Sequence, residues 1–150
     1  MLRAVPKNWF SWKFEIFDGK VCVANLDLAW FREKGELAIQ GRTFEIGREG
    51  IMSGVFLLRE DGRTIASATK PSSFMETFDV VFDQTGYILQ SRQGGRFELA
   101  DGSQVVGSIH PVHWISRKAI VELPEYLPLE VQVFIAGLVF SQWKKENDKS

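Results

Sequence analysis

From Phe10 the chain alternates: Phe10, Trp12, Phe14 and Ile16 fall on one parity, and Ser11, Lys13 and Glu15 fall on the other. Such a pattern predicts a half-buried strand. After Asp18-Gly19 the alternation resumes with Cys22, Ala24, Leu26, Leu28 and Trp30. Asp-Gly between two alternating runs predicts a hairpin, because a type I′ turn needs positive φ at both central residues. The same parity places Cys22 beside Ala24 and Leu26 on the inner face, as an inert thiol. Further punctuation stands at Gln40-Gly41, Asp61-Gly62, Thr85-Gly86, Gly94-Gly95 and Asp101-Gly102. These marks divide the chain into about eleven candidate strands at the ~8–12-residue spacing of a sandwich or barrel.

Internal similarity points to repeated hairpins. FEIFDG at 14–19 and FELADG at 97–102 share Phe, Glu, Asp and Gly, and FEIG at 44–47 repeats the first part. A longer match joins DGRTIASATKPSSF (61–74) to DGSQVVGSIHPVHW (101–114), aligning Ile65 with Val105, Pro71 with Pro111 and Phe74 with Trp114. Hairpins repeated without intervening helices describe a meander, and a long meander removes its edges best by closing on itself.

The last element breaks the period-two pattern. VQVFIAGLVF at 131–140 contains one polar side chain, Gln132, so a helix there is apolar on every face and must be surrounded. Pro128 suits the first helical turn, Glu130 the positive end of the dipole, and Lys144 and Lys145 the negative end. The predicted helix runs near 128–143, and the charged residues 146–150 are expected as a flexible tail. Residues 127–143 would span about 25 Å as a helix. A bilayer core of ~30 Å wants about 20 apolar residues, which disfavours the alternative of a tail anchor. Burying Val131, Val133, Phe134, Ile135, Leu138, Val139 and Phe140 contributes ~10–20 kcal/mol gross, which makes the helix the core of the fold. The expected fold is therefore mainly β: a closed antiparallel meander barrel of about 11 or 12 strands around a hydrophobic C-terminal helix, with 1–145 as a single domain.

Composition narrows the function classes more than it names one. A formal charge of −1 gives no global field for nucleic acid. The single cysteine excludes an internal disulfide and fits a reducing cytoplasm. The opening MLRAVPKNWFSWKFE lacks the apolar run of a signal peptide, so a cytoplasmic protein, peripheral at a membrane if associated with one, is expected rather than an integral one. Twelve Phe and five Trp are read as strand core rather than as a cofactor box.

A closed barrel threaded by a hydrophobic C-terminal helix resembles the tubby-like superfamily, which includes the tubby C-terminal domain, the phospholipid scramblases and the plant LURP-one-related proteins. The likeness is carried by the hairpin series from FEIGREGIMSGVFLLREDGRTIASATKP through FELADGSQVVGSIHP and by LPLEVQVFIAGLVFSQWKK. It implies a surface that binds anionic lipid headgroups through basic residues. This chain is shorter than typical members and lacks the scramblases' cysteine cluster and calcium-binding segment. Its basic residues do not copy the tubby lysine-arginine set.

The candidate chemistry is sparse. His110 and His113 are three apart, hence on opposite faces of an extended segment, and no carboxylate or thiol stands at ligand spacing, so no metal and no cofactor is expected. Asp79 and Asp83 are read as solvated strand ends. The remaining signal is cationic: Arg42 and Arg48 flank one strand, Arg59 and Arg63 bracket Asp61-Gly62, Lys70 ends the next strand, and Arg92 and Arg96 bracket Gly94-Gly95. The expected site is a patch of Arg59, Arg63, Arg42 and Lys70 on the outer wall, holding phosphate oxygens. The expected function is a non-enzymatic binding domain for an anionic (phospholipid or phosphate) headgroup or for a partner protein. The alternative is a small hydrolase with its site in a loop cleft.

Overall fold

The computed structural model describes residues 1–8, 12–28, 34–50, 54–72, 76–113 and 116–149, with the side chains of 148 and 149 left aside. Twelve strands form one closed antiparallel barrel in strict chain order, β1 closing against β12. They are β1 (Leu2–Pro6), β2 (Lys13–Asp18), β3 (Val21–Leu28), β4 (Lys34–Ile39), β5 (Arg42–Arg48), β6 (Val55–Glu60), β7 (Arg63–Thr69), β8 (Thr77–Phe82), β9 (Thr85–Ser91), β10 (Phe97–Asp101), β11 (Gln104–Pro111) and β12 (Ala119–Glu122), followed by α1 (Leu129–Lys149). Phe10, Ser11, Trp30, Phe74 and Trp114, which the sequence pattern also involves, lie outside the described residues.

Eight strands leave a lumen that side chains alone fill, and sixteen leave a channel. Twelve leave room for one helix. Val131 and Val133 through Val139 and Phe140 are buried on every side of α1, and they form one core with Phe14, Leu26, Leu37, Phe44, Leu58 and Leu99 of the wall. Phe140 stacks on Phe14 with ring centroids 4.5 Å apart. The one polar side chain in this stretch is satisfied locally: Gln132 Nε2 donates to the carbonyls of Leu127 (2.8 Å) and Pro124 (3.3 Å). The helix outruns its predicted end, continuing through the exposed Lys145–Asn147 to Lys149. No glycine or proline interrupts residues 144–149, so the turn anchored by Trp143 propagates instead of giving way to a flexible tail at 146.

The repeated hairpins carry a shared irregularity. After each of the three Asp-Gly sites the ladder shifts register, at Ile16/Phe17 against β3, Leu58/Arg59 against β7 and Leu99/Ala100 against β11. Val23, Ile65 and Val106 are the extra residues, each two positions past the pair that closes its turn. A bulge reverses the face of every residue between it and the turn. Cys22 is thereby paired with the outward Phe17 and exposed, which corrects the inward placement read from simple alternation. The turn between β8 and β9 also differs: Asp83 and Gln84 take the positive φ values (51° and 63°), while Gly86 lies inside β9.

All the two-residue turns fall at one end of the barrel, together with residues 123–128 that lead into α1. We call this the turn end. The other ends of the strands and the C-terminal half of α1 lie at the opposite end. Among the described residues, no helix is long and apolar enough to cross a membrane.

Candidate functional site

The four cations expected to form one patch are split by the topology. Arg42 pairs with the inward Ile39, and Arg63 with Glu60, so register places both on the lumen side of the turn-end rim. Arg59 lies on the outer wall opposite Glu45. Lys70 lies past the other end of β7, a strand of seven residues and about 20 Å away. There its Nζ donates to Gln142 Oε1 of α1 at 3.2 Å.

Those at the turn end are balanced by carboxylates. Arg42 donates from Nε and Nη2 to both carboxylate oxygens of Glu60, each at 2.8 Å, and Nη1 reaches Glu130 Oε2 in the first turn of α1 at 3.4 Å. Its guanidinium also lies 4.8 Å from the Phe44 ring centroid. The hydrogen bond from Arg42 holds the Glu60 carboxyl below its ordinary pKa, and Glu60 in turn raises Arg42. Arg63 contributes a further favourable charge to Glu60, and Glu45 is shared with Lys34 at 3.9 Å. Arg92 and Arg96 converge on Glu98, at 2.8 and 3.5 Å, and the bond from Arg92 lowers that carboxyl most. This arrangement rivets hairpin to hairpin and wall to helix; it leaves little net positive field for a phosphate.

The other candidates stand apart. His110 lies on β11, outward beside Ile120, with Nδ1 buried and without a hydrogen bond, and His113 follows in the connection after the strand. Asp79 is exposed on the outer wall, opposite Ile88, and Asp83 sits in its turn at positive φ. Among the described residues no three His, Cys, Asp or Glu side chains converge at metal-binding distance.

A groove absent from the sequence reading lies on the outer wall at the seam of β11 and β12. β12 is only four residues long, and its ladder with β11 ends at the pair Ser108–Glu122. Leu123 then leaves the sheet and passes beneath Gly107. A Cβ on Gly107 would lie 2.5 Å from the Glu122 carbonyl oxygen and 3.0 Å from Leu123, so only glycine admits this crossing. Gln104–Gly107 consequently have no ladder partner on the β12 side. The space vacated is a groove of about 630 Å³, floored by Val106, Gly107, Ser108 and Leu123 and bordered by Met1, Val105, Arg96, Glu122 and Glu125.

Three features meet in this groove. Ser108, which lines the groove, is one of two buried polar residues among the described residues, at 6% exposure. Glu122 and Glu125 are exposed carboxylates with no ion pair among the described residues, whereas the glutamates of the rim are bridged. Val105 and Met1 present apolar surface, at 50% and 72% exposure. The turn end is acidic beyond the groove as well, because Asp18, Asp61, Asp83 and Asp101 stand in or beside its turns. A signal for the groove existed in the sequence: Gly107 interrupts an otherwise regular strand, which marks a close backbone approach. No family model, no curated protein and no solved structure matches the chain.

Proposed function

We propose that this barrel is a non-catalytic recognition domain that holds a partner protein on its outer wall at the turn end. The observation that carries the reading is the open seam, where a buried serine, strand backbone without a ladder partner and two unbridged carboxylates share one groove. Among the described residues the lumen is filled by α1, which disfavours a lipocalin-like internal ligand and turns recognition to the outside. The fold is the one expected of a relative of the tubby-like barrels, and membership of that superfamily is part of the proposal. The exposed thiol of Cys22 fits a reducing compartment, and we place the domain in the cytoplasm on that ground.

Charge balance favours a protein over an anionic headgroup. Arg42 is engaged by two carboxylates, Arg59 faces Glu45, Arg63 faces Glu60, and Lys70 is at the far end. Two experiments separate the readings. A photo-crosslinking amino acid at Val105 should trap one discrete protein in native cells, and the same group at the exposed Val21, on a different wall, should not. Co-sedimentation with neutral and anionic vesicles at two salt concentrations should show no preference for the anionic ones. Salt-sensitive vesicle binding lost on Arg59→Ala/Arg63→Ala, without a crosslink at Val105, would replace the protein-partner reading with the headgroup one.

A further inference from the structure

Each strand of a closed barrel shields its neighbours' backbone, and natural sheets protect the edges that remain with lysine, proline or inward charge. The segment Gln104–Gly107 carries no lysine, proline or inward charge, and its one irregularity is the bulge at Val106. Its residues are Gln, Val, Val and Gly, it is paired with β10 on one side, and it faces the groove on the other. β1 and β11 both flank β12, so they stand two strand spacings apart, about 10 Å. β1 begins at Leu2 opposite Val121, so where β12 leaves the sheet at Leu123 a slot opens beside Gln104–Gly107 with Met1 at its far border.

Resting on the recognition function above, we propose that this slot takes a short extended peptide of the partner bearing lysine or arginine, which pairs with the backbone of Gln104–Gly107 and sets its cations against Glu122 and Glu125. Strand addition uses main-chain hydrogen bonds for affinity and alternate side chains for specificity. Both kinds of receptor group are present. The free edge and the Ser108 hydroxyl offer donors and acceptors to an incoming backbone. One row of peptide side chains meets the exposed apolar Val105 and Met1. The acidic character of the turn end selects a basic peptide: Arg96, the one cationic side chain among the described residues bordering the groove, is already bridged to Glu98 at 3.5 Å. The same charges oppose a second copy of this chain, whose edge would bring Glu122 and Glu125 against an equally acidic rim. Only four residues of edge are free, so the bound strand is short and its affinity modest.

The test uses the full chain and four capped eight-residue peptides with a fluorescent label: alternating Val-Lys, alternating Val-Glu, alternating Val-Ser, and Val-Lys with alternate backbone nitrogens methylated. Anisotropy titrations should show Val-Lys binding at least about tenfold tighter than Val-Glu and Val-Ser, falling about tenfold with Glu122→Gln/Glu125→Gln and weakening with salt. Both glutamates are exposed, so that variant keeps the fold, which far-ultraviolet dichroism verifies. Methylation removes donors without removing charge, and it should abolish binding. Amide resonances of residues 104–108 should move on titration. Equal binding of the methylated peptide would reduce the groove to a charge patch, and no preference for Val-Lys would overturn the inference. A Val105 crosslink to a partner in cells, with no peptide bound, would sink the strand slot and leave the recognition reading standing. Vesicle binding through Arg59 and Arg63 would instead sink that reading.

Discussion

Trp143 Nε1 donates a 2.8 Å hydrogen bond to the carbonyl oxygen of Gly95, in the 3-10 turn Gln93–Gly95 between β9 and β10. The indole ring also lies against Phe140, with centroids 5.4 Å apart. One side chain thus fixes the depth of α1 in the barrel and closes the end opposite the groove. Trp143→Phe keeps most of the ring contact and orphans the Gly95 carbonyl, so a loss of about 1–3 kcal/mol is expected from urea titration. Trp143→Ala should cost more, about 3–5 kcal/mol, because the ring contact goes as well.

Two glycines with opposite surroundings give opposite predictions. At Gly137, in the middle of α1, a Cβ would lie 3.6–3.9 Å from Leu28, Leu26 and Ile46, which is ordinary contact. Gly137→Ala should therefore stabilise the protein by about 0.5–1 kcal/mol through helix propensity. Gly137→Arg would strand a charge in the lumen at a cost of several kcal/mol. At Gly107 even a methyl group collides with backbone, and Gly107→Ala should destabilise by about 1–3 kcal/mol and reshape the groove. Thermal melts of these variants under one condition decide the matter.

The Arg42–Glu60 bridge predicts a pH dependence of known sign. The folded-state pKa of Glu60 lies below its ordinary value, chiefly through the hydrogen bond from Arg42. The stabilisation is therefore present above the unfolded-state pKa and is lost as pH falls through the lowered one. Wild type should lose more stability between pH 6 and about pH 3 than Arg42→Gln does. Unfolding midpoints of the two proteins that run parallel over that window would show the bridge to be energetically silent.

Cys22 offers a chemical check on the bulge in the first hairpin. Its Sγ has only weak partners, the Ala24 carbonyl at 3.5 Å and Glu15 at 4.0 Å, and it is exposed. A disulfide reagent at pH 8 should modify one thiol per native chain without denaturant. If the thiol reacted only after unfolding, simple alternation would hold across residues 21–26, and the register shift at Ile16/Phe17 would be absent.

Much of the architecture was legible because each part of it is local. Alternation writes one face of a strand into neighbouring residues, Asp-Gly and Gln-Gly mark turns, and an all-apolar stretch at 131–140 announces a helix that must be enclosed. A closed barrel of about eleven or twelve strands around a helix follows from those marks and from the cost of free edges. Local parity fails where pairing partners intervene: Cys22 faces outward because of a register shift against β2, which alternation along one strand does not record.

Only the tertiary structure decided where the charges meet and where the wall is open. Arg42, Glu60 and Glu130 are far apart in sequence but share one rim, because successive hairpins return to the same end and α1 begins there. Of the arginines read as a phosphate patch, Arg42 is bridged to two carboxylates, while Arg59 and Arg63 lie across the ladder from Glu45 and Glu60. The groove arises in the same way, from the early departure of a four-residue strand and the passage of Leu123 beneath Gly107. Its floor, its unpaired edge and its acidic border come from β11, β12 and the segment after them, and barrel closure brings Met1 to the same place. Sequence fixes what each side chain prefers; the distances between segments are set by the closed ladder.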